Sequence, residues 1–402
     1  MGVGSTAELI AAILRQATEA DDAEGLIGLT CDGLLGLDIP LWRFSVGLRT
    51  INATVRARSF VWRRDRGFAA DALPHVTDDD DLAAFHRSPI HHVQSRGLAC
   101  TRWRLVEGEG CEALPLLAEL RAEGGTDYVM HLVRFGGGTA QAIPGVALAF
   151  ATDWPGGFGE DELAALAGIV PALGLASFRF ALARTLSETL EVYLGPRTAQ
   201  RVLGGEVRRG LGRAMAAAIL WADLRGFTAV ARSHEGPRVV AWLDEHLEAI
   251  GAPVAAHGGE VLKFLGDGLL AVFPVEEPEA GESDVCRRAL AAAEEALAAT
   301  AEINAARRAS GEPELWLDVV LHHGEVVYGN VGAARRLDFT VIGRAVNEAS
   351  RMEALCGEFG QHLLLSAPFA ARCGRATVAL GSFHLRGIPE EVEIFAIGKA
   401  RS

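Results

Sequence analysis

The sequence predicts an α/β (α+β) protein with two domains and a helical linker between them. Its 402 residues, half of them hydrophobic, exceed the length of one typical domain and can bury a large core. Short strand-like segments prevail up to about residue 150, a helical pattern follows, and strands alternate with helices from residue 214 onward. We therefore expect domains at 1–182 and 214–402, separated by a linker at 183–213.

The first domain begins with helical periodicity over residues 5–35 and then changes to short strands. Strands are expected at Leu41–Thr50, Ala57–Arg63, Tyr128–Phe135 and Gly145–Thr152, with turns such as Thr77–Asp81 and Gly136–Thr139 between them. A helix with acidic residues in its first turn should then follow the Gly-rich turn of GGFGED. This order resembles that of a GAF-like domain, which implies an α+β sensor with a small-molecule ligand.

The linker is predicted to be a helix, because four apolar residues fall on one helical stripe: Leu186, Leu190, Tyr193 and Leu194. Gly195-Pro196 should end this helix, and a short amphipathic helix follows. Two interpretations are open. The linker either packs on its own domain or forms a parallel dimer helix that transmits movement of the first domain.

The second domain is predicted to be a mixed layer of strands and helices. The expected order is strand 216–223, helix 237–257, hairpin 260–273, helix 284–309, strand pair 315–331, strand 338–342, helix 344–356 and short strands to 397. Pro237 at the start of the first helix follows the usual preference of helix N-termini. His322 and His323 are expected to end the first strand of the pair, before a turn at Gly324.

Composition argues against several classes of partner. The net charge of −14 disfavours an electrostatic nucleic-acid surface. The six cysteines show no CxxC spacing, which favours reduced thiols and a cytoplasmic location. The longest uncharged apolar run, Leu163–Phe178, contains Pro171 and is shorter than a membrane-spanning helix. We therefore expect no nucleic acid and no membrane as partners.

Two carboxylates are candidates for a metal site. Asp223 ends the apolar run AAAILWAD, where a buried strand changes to a loop, and Asp267 occupies the Gly-Asp-Gly turn of a hairpin. Mg²⁺ binds one or two carboxylates and completes its coordination with water and phosphate oxygens. Because either residue alone would be interpreted as a cap or turn residue, the hypothesis depends on the two strand ends being neighbours.

Two further features indicate a functional site. Lys263 is one of only two lysines among 38 basic residues, and a compact ammonium differs chemically from the guanidinium used elsewhere. The segment Leu224–Thr228 follows Asp223 at the start of a helix, where backbone N–H groups can bind phosphate. Phe227 and Thr228 are therefore candidate substrate-binding residues.

Five segments between residues 221 and 395 form an ordered set: WADLRGFT, GGEVLKFLGDGLLAVF, LHHGEVVYGNVG, DFTVIGRAVNEASRME and FHLRGIPEEVEIF. Together they resemble the catalytic domain of class III adenylate and guanylate cyclases. The resemblance implies a ferredoxin-like fold for 214–402 and two divalent ions, Mg²⁺ or Mn²⁺, at Asp223 and Asp267. The position of the linker directly before this domain resembles the transducer segment of the family and favours the dimer helix.

The resemblance also implies roles for three cationic or amide side chains. Asn347 and Arg351 are four residues apart and share one helix face. In the family pattern VNxASRM, the matching Asn orients the ribose and the matching Arg stabilises charge that develops on the α-phosphate. Arg386 stands where many members have a lysine that contacts the triphosphate, and we expect it to act as an equivalent cation.

The choice of base is carried in the family by the positions of Lys263 and Thr340. An ammonium donor and a hydroxyl acceptor match N1 and the N6 amino group of adenine, whereas guanine would require an acidic residue at position 263. Thr340 replaces the more usual Asp and resembles the Thr-bearing subgroup of bacterial adenylyl cyclases. The resemblance therefore implies conversion of ATP to 3′,5′-cyclic AMP and pyrophosphate.

Family members divide each site between two subunits, one with the metal ligands and the other with the base-binding and transition-state residues. Because this chain has both sets, the resemblance implies a homodimer with two equivalent sites. Two alternatives remain: a guanylate cyclase, or a regulatory protein whose catalytic domain has become an inactive nucleotide-binding or dimerisation module. Occupancy of every metal, base and transition-state position argues against the inactive module.

Overall fold

The computed structural model describes residues 4–19, 22–50, 55–74, 79–136, 143–275, 281–333 and 336–398. The chain forms two compact units, Met1–Val192 and Tyr193–Ser402. The boundary between them falls inside the segment expected to be the linker. All six cysteines are free thiols, in agreement with the sequence-based expectation.

The first unit is built on a six-stranded antiparallel sheet. Its strands are β1 (Arg43–Arg49), β2 (Val55–Arg63), β3 (Gly67–Pro74), β4 (Cys100–Arg104), β5 (Asp127–Arg134) and β6 (Gly145–Thr152), in the order β3-β2-β1-β6-β5-β4. Its helices are α1 (Thr6–Glu19), α2 (Ala23–Gly36), α3 (Asp79–His86), α4 (Pro89–Ser95), α5 (Pro115–Ala122) and α6 (Glu160–Leu194). The four predicted strands are confirmed, whereas β3 and β4 were not predicted.

Alternation along β1 determines which face of this sheet forms the main core. Phe44, Val46 and Leu48 are buried in a cluster with apolar residues of α1, α2 and α6. The ring of Phe44 stacks on that of Phe150 in β6, with ring centroids 4.8 Å apart. Successive strand residues point to opposite faces, so Ser45 and Gly47 lie on the second face of the sheet.

Two details of this unit differ from the prediction. The backbone of Asp79–Asp81 begins helix α3 and is not part of the predicted turn. Thr77, Asp78 and residues 137–139 of the other predicted turn lie outside the described residues. The long helix and the linker helix were predicted separately, but α6 is one continuous helix of 35 residues.

Helix α6 is buried in its first half, where Leu166, Ile169 and Leu173 pack in the core. It ends where Gly195 adopts a φ of 85°, a conformation that favours glycine, and Pro196 begins the next helix, as predicted. Among the described residues, α6 alone is long and apolar enough to cross a membrane. Core helices of globular proteins meet the same criterion, so this is weak evidence for a membrane span.

The second unit contains an eight-stranded sheet. Its strands are β7 (Gly212–Arg225), β8 (Glu260–Phe264), β9 (Leu269–Pro274), β10 (Trp316–Ala333), β11 (Arg336–Ile342), β12 (Leu363–Ser366), β13 (Thr377–His384) and β14 (Glu391–Ile397). Its helices are α7 (Pro196–Leu203), α8 (Phe227–Arg232), α9 (Gly236–Ala256), α10 (Glu282–Ser310), α11 (Arg344–Phe359) and α12 (Ala367–Ala370). The sheet order is β13-β14-β12-β10-β7-β9-β8, and β11 pairs with β10.

The central part of this unit has a ferredoxin-like topology. The chain order β7-α9-β8-β9-α10-β10 gives the strand order β10-β7-β9-β8, with antiparallel neighbours. One face of the sheet packs against α9 and α10, and the other face packs against α11. The predicted mixed α+β fold is therefore confirmed, with its ferredoxin-like core.

The predicted strand pair at 315–331 is wrong, because β10 is a single strand that pairs with β7 from Trp316 to Gly329. His322 and His323 lie in the middle of this strand and are buried. Gly324 makes no turn. A Cβ atom there would lie 2.8 Å from the Cβ of Ala345, so the glycine allows α11 to approach the sheet closely.

Candidate active site

The hairpin turn between β8 and β9 lies directly against the end of β7. Ala222 pairs with Leu269, which places the turn beside Asp223. A Cβ atom at Gly268 would lie 2.3 Å from the carbonyl oxygen of Ala222 and 2.7 Å from Oδ1 of Asp223. Only glycine allows this approach, which brings Asp267 and Asp223 together at one edge of the sheet.

The site is rich in negative charge. Burial and the neighbouring Asp267 carboxylate raise the pKa of Asp223 to about 7, with smaller contributions from Glu353 and Asp318. Burial, Asp318 and Asp267 likewise raise the pKa of Glu353 in α11. A raised pKa means that the ionised form of the carboxyl group is disfavoured at this site. A bound cation would stabilise that ionised form.

The donor set fits a hard divalent cation. Two neighbouring carboxylates at a strand end are the protein ligands with which Mg²⁺ is typically held, the remaining positions being taken by water and substrate oxygens. The described residues contain no group of three or more His, Cys, Asp or Glu side chains arranged around a metal position. Asp223 and Asp267 would therefore hold an ion that keeps coordination positions for a substrate.

The turn after β7 presents backbone donors on the same edge. Gly226 has a φ of 74° and caps α8, whose first residues are Phe227 and Thr228. The N–H groups of Ala229 and Val230 donate to the carbonyl of Gly226, so those of Phe227 and Thr228 precede the first helical hydrogen bonds. Phe227 anchors the turn in the core, and the side chain of Thr228 is exposed.

A buried ion pair next to Asp223 was missed by sequence reasoning. Asp318 stands opposite Asp223 in the β7–β10 register and is 2% exposed. Nε and Nη2 of Arg225 donate to its two carboxylate oxygens, each at 2.7 Å, and Nδ1 of His362 lies 2.8 Å from Oδ1. The signal was an acidic residue inside the apolar run WLDVVL, which is unusual for a buried strand.

Lys263 and Thr340 lie on neighbouring parts of the sheet. Nζ of Lys263 donates to Oδ2 of Asp338, and both side chains are about half exposed. Asp338 is two residues before Thr340 on β11, so the two side chains leave the same face of that strand. The ammonium group is therefore held on the Thr340 side of β11, and Asp338 is a partner that sequence reasoning missed.

Asn347 and Arg351 lie on one exposed face of α11. Among the described residues, neither side chain forms a hydrogen bond or ion pair. Glu353, whose charge interacts with Asp267, is two residues beyond Arg351. Residues two apart on a helix do not face the same way, so Arg351 and Glu353 lie on different faces of α11.

Arg386 lies in an exposed turn between β13 and β14, just before Gly387, which has a φ of 82°. Its side chain has no hydrogen-bond or ion-pair partner among the described residues. The structure thus brings together Asp223 with Asp267, Lys263 with the Thr340 face, and Asn347 with Arg351. Among the described residues of one chain, no hydrogen bond or ion pair connects the Asp223–Asp267 pair to either of the other two pairs.

Residues 212–397 match the family model described as the adenylate and guanylate cyclase catalytic domain. This segment, a little less than half of the chain, is similar to that catalytic domain. Adenylate cyclase 1 of Rhizobium meliloti (strain 1021) is 38% identical over 156 residues, which are 38% of this chain and 23% of that protein. The adenylate cyclase of Anabaena cylindrica is 30% identical over 177 residues, 44% of this chain and 34% of that protein.

The chain thus spans between about a quarter and a third of the length of these curated relatives. Among solved structures, the adenylyl cyclase CyaB from P. aeruginosa is 23% identical and covers 48% of this chain and 97% of its own, with a TM-score of 0.44. The guanylyl cyclase Cya2 is 27% identical and covers 47% of this chain and 96% of its own, with a TM-score of 0.41. The matched residues 212–397 contain all five of the ordered sequence segments found between residues 221 and 395.

Proposed function

We propose that the protein is an adenylate cyclase that converts ATP to 3′,5′-cyclic AMP and pyrophosphate at a site shared by two copies of the chain. The observation that carries the proposal is the pair of neighbouring carboxylates, Asp223 at the end of β7 and Asp267 in the turn packed against it, in a segment similar to cyclase catalytic domains. Relatives named as adenylate cyclases support the same activity.

Asp223 and Asp267 would hold two divalent ions, Mg²⁺ or Mn²⁺. Bound there, the ions would lower the pKa of the ribose 3′-hydroxyl and neutralise the triphosphate. The N–H groups of Phe227 and Thr228, which precede the first helical hydrogen bonds of α8, would donate to phosphate oxygens. These residues form one half of the proposed site.

The second half comes from the partner copy. Asn347 would orient the ribose, and Arg351 would donate to the α-phosphate oxygens as negative charge develops there. Arg386 would bind the triphosphate as a permanently charged, multi-donor group. Arg351 is exposed and lies on a different face of α11 from Glu353, the residue whose charge interacts with Asp267, which supports the division of the site between two copies.

Lys263 and Thr340 would read the base. The ammonium of Lys263 donates to N1 of adenine, and the hydroxyl of Thr340 accepts from the N6 amino group, as in the Thr-bearing subgroup. Asp338 holds the ammonium on the Thr340 side of β11. A guanylate cyclase is the second candidate, because the Asp338 carboxylate is an acceptor that could bind the N1–H and amino group of guanine.

The first domain, 1–182, would act as a GAF-like regulatory domain that communicates with the cyclase domain, 214–402, through the linker at 183–213. We propose a cytoplasmic location. The proposal is tested by initial rates of cyclic nucleotide formation with ATP and with GTP, in Mg²⁺ and in Mn²⁺, with Asp223→Asn as the blank. Formation of cyclic AMP in preference to cyclic GMP is expected. Formation of neither product, or of cyclic GMP alone, would refute the adenylate cyclase assignment.

A further inference from the structure

A cavity of about 680 Å³ lies on the second face of the sheet in the first unit. Its floor consists of small residues of β1, β2 and β6: Gly47, Ala57, Ser59, Gly145 and Ala147. Helices α3 and α4 cover it with Leu82, Phe85, Ile90 and Gln94. Its size is in the range of small-molecule sites, on the order of 300–1,000 Å³.

The cavity follows from an asymmetry in the strands. Gly47 pairs with Ser59 on one side and with Ala147 on the other, so three adjacent strands present small side chains in one row. Their neighbours Val46 and Leu148 are large and face the core on the opposite side. Farther along the same face, large residues such as Trp103 and Tyr128 fill the space beneath the helices. The gap is therefore local to the Gly47 end.

The charged residues of the cavity all have one sign. Its described lining includes Arg49, Arg56, Arg58 and Arg134 and no acidic side chain. Two of these arginines are already engaged: Arg58 pairs with Glu188 at 2.8 Å, and the guanidinium of Arg56 lies 5.8 Å from the ring centroid of Phe85. Arg49 and Arg134 have no side-chain hydrogen bond or ion pair among the described residues.

Arg49 and Arg134 leave the same row of the sheet. Arg134 pairs with Gly145, and continuation of the Leu48–Val146 pairing places Arg49 on the other side of the same glycine. Two strand spacings separate their backbones, roughly 10 Å, and the glycine between them has no side chain. The two guanidinium groups can therefore approach one anion from both sides.

We propose that this cavity binds an apolar organic anion, of which a carboxylate is the simplest form. The anionic group lies between Arg49 and Arg134, whose planar guanidinium groups match carboxylate oxygens. The apolar body packs against Phe85, Ile90 and Leu132 under the two helices. The site supplies the first domain with a ligand class, and its occupancy does not depend on the catalytic proposal.

The test is calorimetric titration of the full-length protein with naphthalene-2-carboxylate and decanoate. Naphthalene-2-carboxamide is the neutral control with the same apolar body. Arg49→Gln and Arg134→Gln each remove one charge at the cavity, and Arg66→Gln removes the same charge from an exposed position outside it. Ala147→Leu fills the floor, and circular dichroism verifies that each variant is folded.

The carboxylate should bind about tenfold or more tightly than the carboxamide, because charged hydrogen bonds to arginine are lost in the amide. Arg49→Gln and Arg134→Gln should each weaken the carboxylate about tenfold and leave the carboxamide unchanged. Ala147→Leu should weaken both ligands, and Arg66→Gln neither. Equal binding of carboxylate and carboxamide would overturn the proposal. So would equal losses in Arg66→Gln and Arg49→Gln, or no binding of either anion at about 5 mM.

Discussion

Replacement of Gly268 by alanine should separate the two carboxylates of the active site. The new Cβ would lie 2.3 Å from the carbonyl oxygen of Ala222 and 2.7 Å from Oδ1 of Asp223. Ordinary contact requires the turn to move away by about 1 Å, since favourable separations between heavy atoms are about 3.5 Å. Asp267 moves with the turn, so its distance from Asp223 should increase by a similar amount.

A displacement of this size is large for catalysis. A misplacement of about 1 Å can reduce the rate about 100-fold, and overpacking typically costs about 1–3 kcal/mol of stability. Gly268→Ala should therefore reduce the initial rate of cyclic nucleotide formation about 100-fold while the protein remains folded. The apparent affinity for Mg²⁺ should fall in the same titration.

Gly266→Ala is the matched control in the same turn. Gly266 has a φ of 79°, but apart from its own atoms and its two chain neighbours no atom of the described residues lies within 4 Å of the position of its Cβ. The substitution therefore introduces backbone strain of about 1 kcal/mol without moving the turn from Asp223. A Gly268→Ala rate within threefold of wild type, or a larger loss of activity in Gly266→Ala, would refute the assigned contact between the turn and the strand end.

Three further predictions concern charge, packing and specificity. Burial raises the pKa of Asp223 to about 7, so the metal-free protein should lose stability as pH rises from 3.8 through about 7. Mg²⁺ should then raise the midpoint temperature of thermal unfolding more at pH 8 than at pH 5. An equal rise at the two pH values would contradict this prediction. Tyr328→Phe should lower the free energy of unfolding in urea by about 1–3 kcal/mol, because the hydroxyl joins two buried partners at 2.7 and 3.1 Å. Tyr193→Phe, at an 81% exposed site, should have no effect, and similar losses in both variants would count against the buried network. Lys263→Glu with Thr340→Cys should reduce the ratio of ATP to GTP turnover at least tenfold, since each unpaired polar group costs roughly 1–3 kcal/mol. An unchanged ratio would show that these residues do not read the base.

Local sequence patterns predicted those parts of the fold that depend mainly on residues adjacent in the sequence. The Gly-Asp-Gly turn lies between two short apolar segments, and both strands and the position of Asp267 were predicted from it. Gly195-Pro196 likewise ended a helix as expected. The prediction for β10 was wrong, because a glycine such as Gly324 is typical of a turn when only its neighbours in sequence are considered. In the fold, this glycine is required by the close approach of α11.

The partners of the site residues could not be predicted in the same way. Asp338 is 75 positions from Lys263, and Asp318 is 93 positions from Arg225. Such pairs depend on the register between β10 and its neighbours, which the pattern of a single strand does not specify. The proximity of Glu353 to Asp267 similarly depends on the way α11 packs on the sheet. Residue types indicated the chemistry, and tertiary packing determined the neighbours.

The most direct test of the proposed shared site is complementation between two inactive variants. Asp223→Ala removes a ligand from one half-site, and Arg351→Ala removes a cation from the other. When equal amounts are mixed and exchange is verified with two affinity tags, half the dimers should contain one intact site. Activity should then recover to about a quarter of the wild-type rate per chain, as random pairing of two-site dimers requires. A mixture of Asp223→Ala with Asp267→Ala should stay inactive, because both changes affect the same half-site. Absence of recovery in the first mixture, despite exchange, would contradict a site built from two copies of the chain.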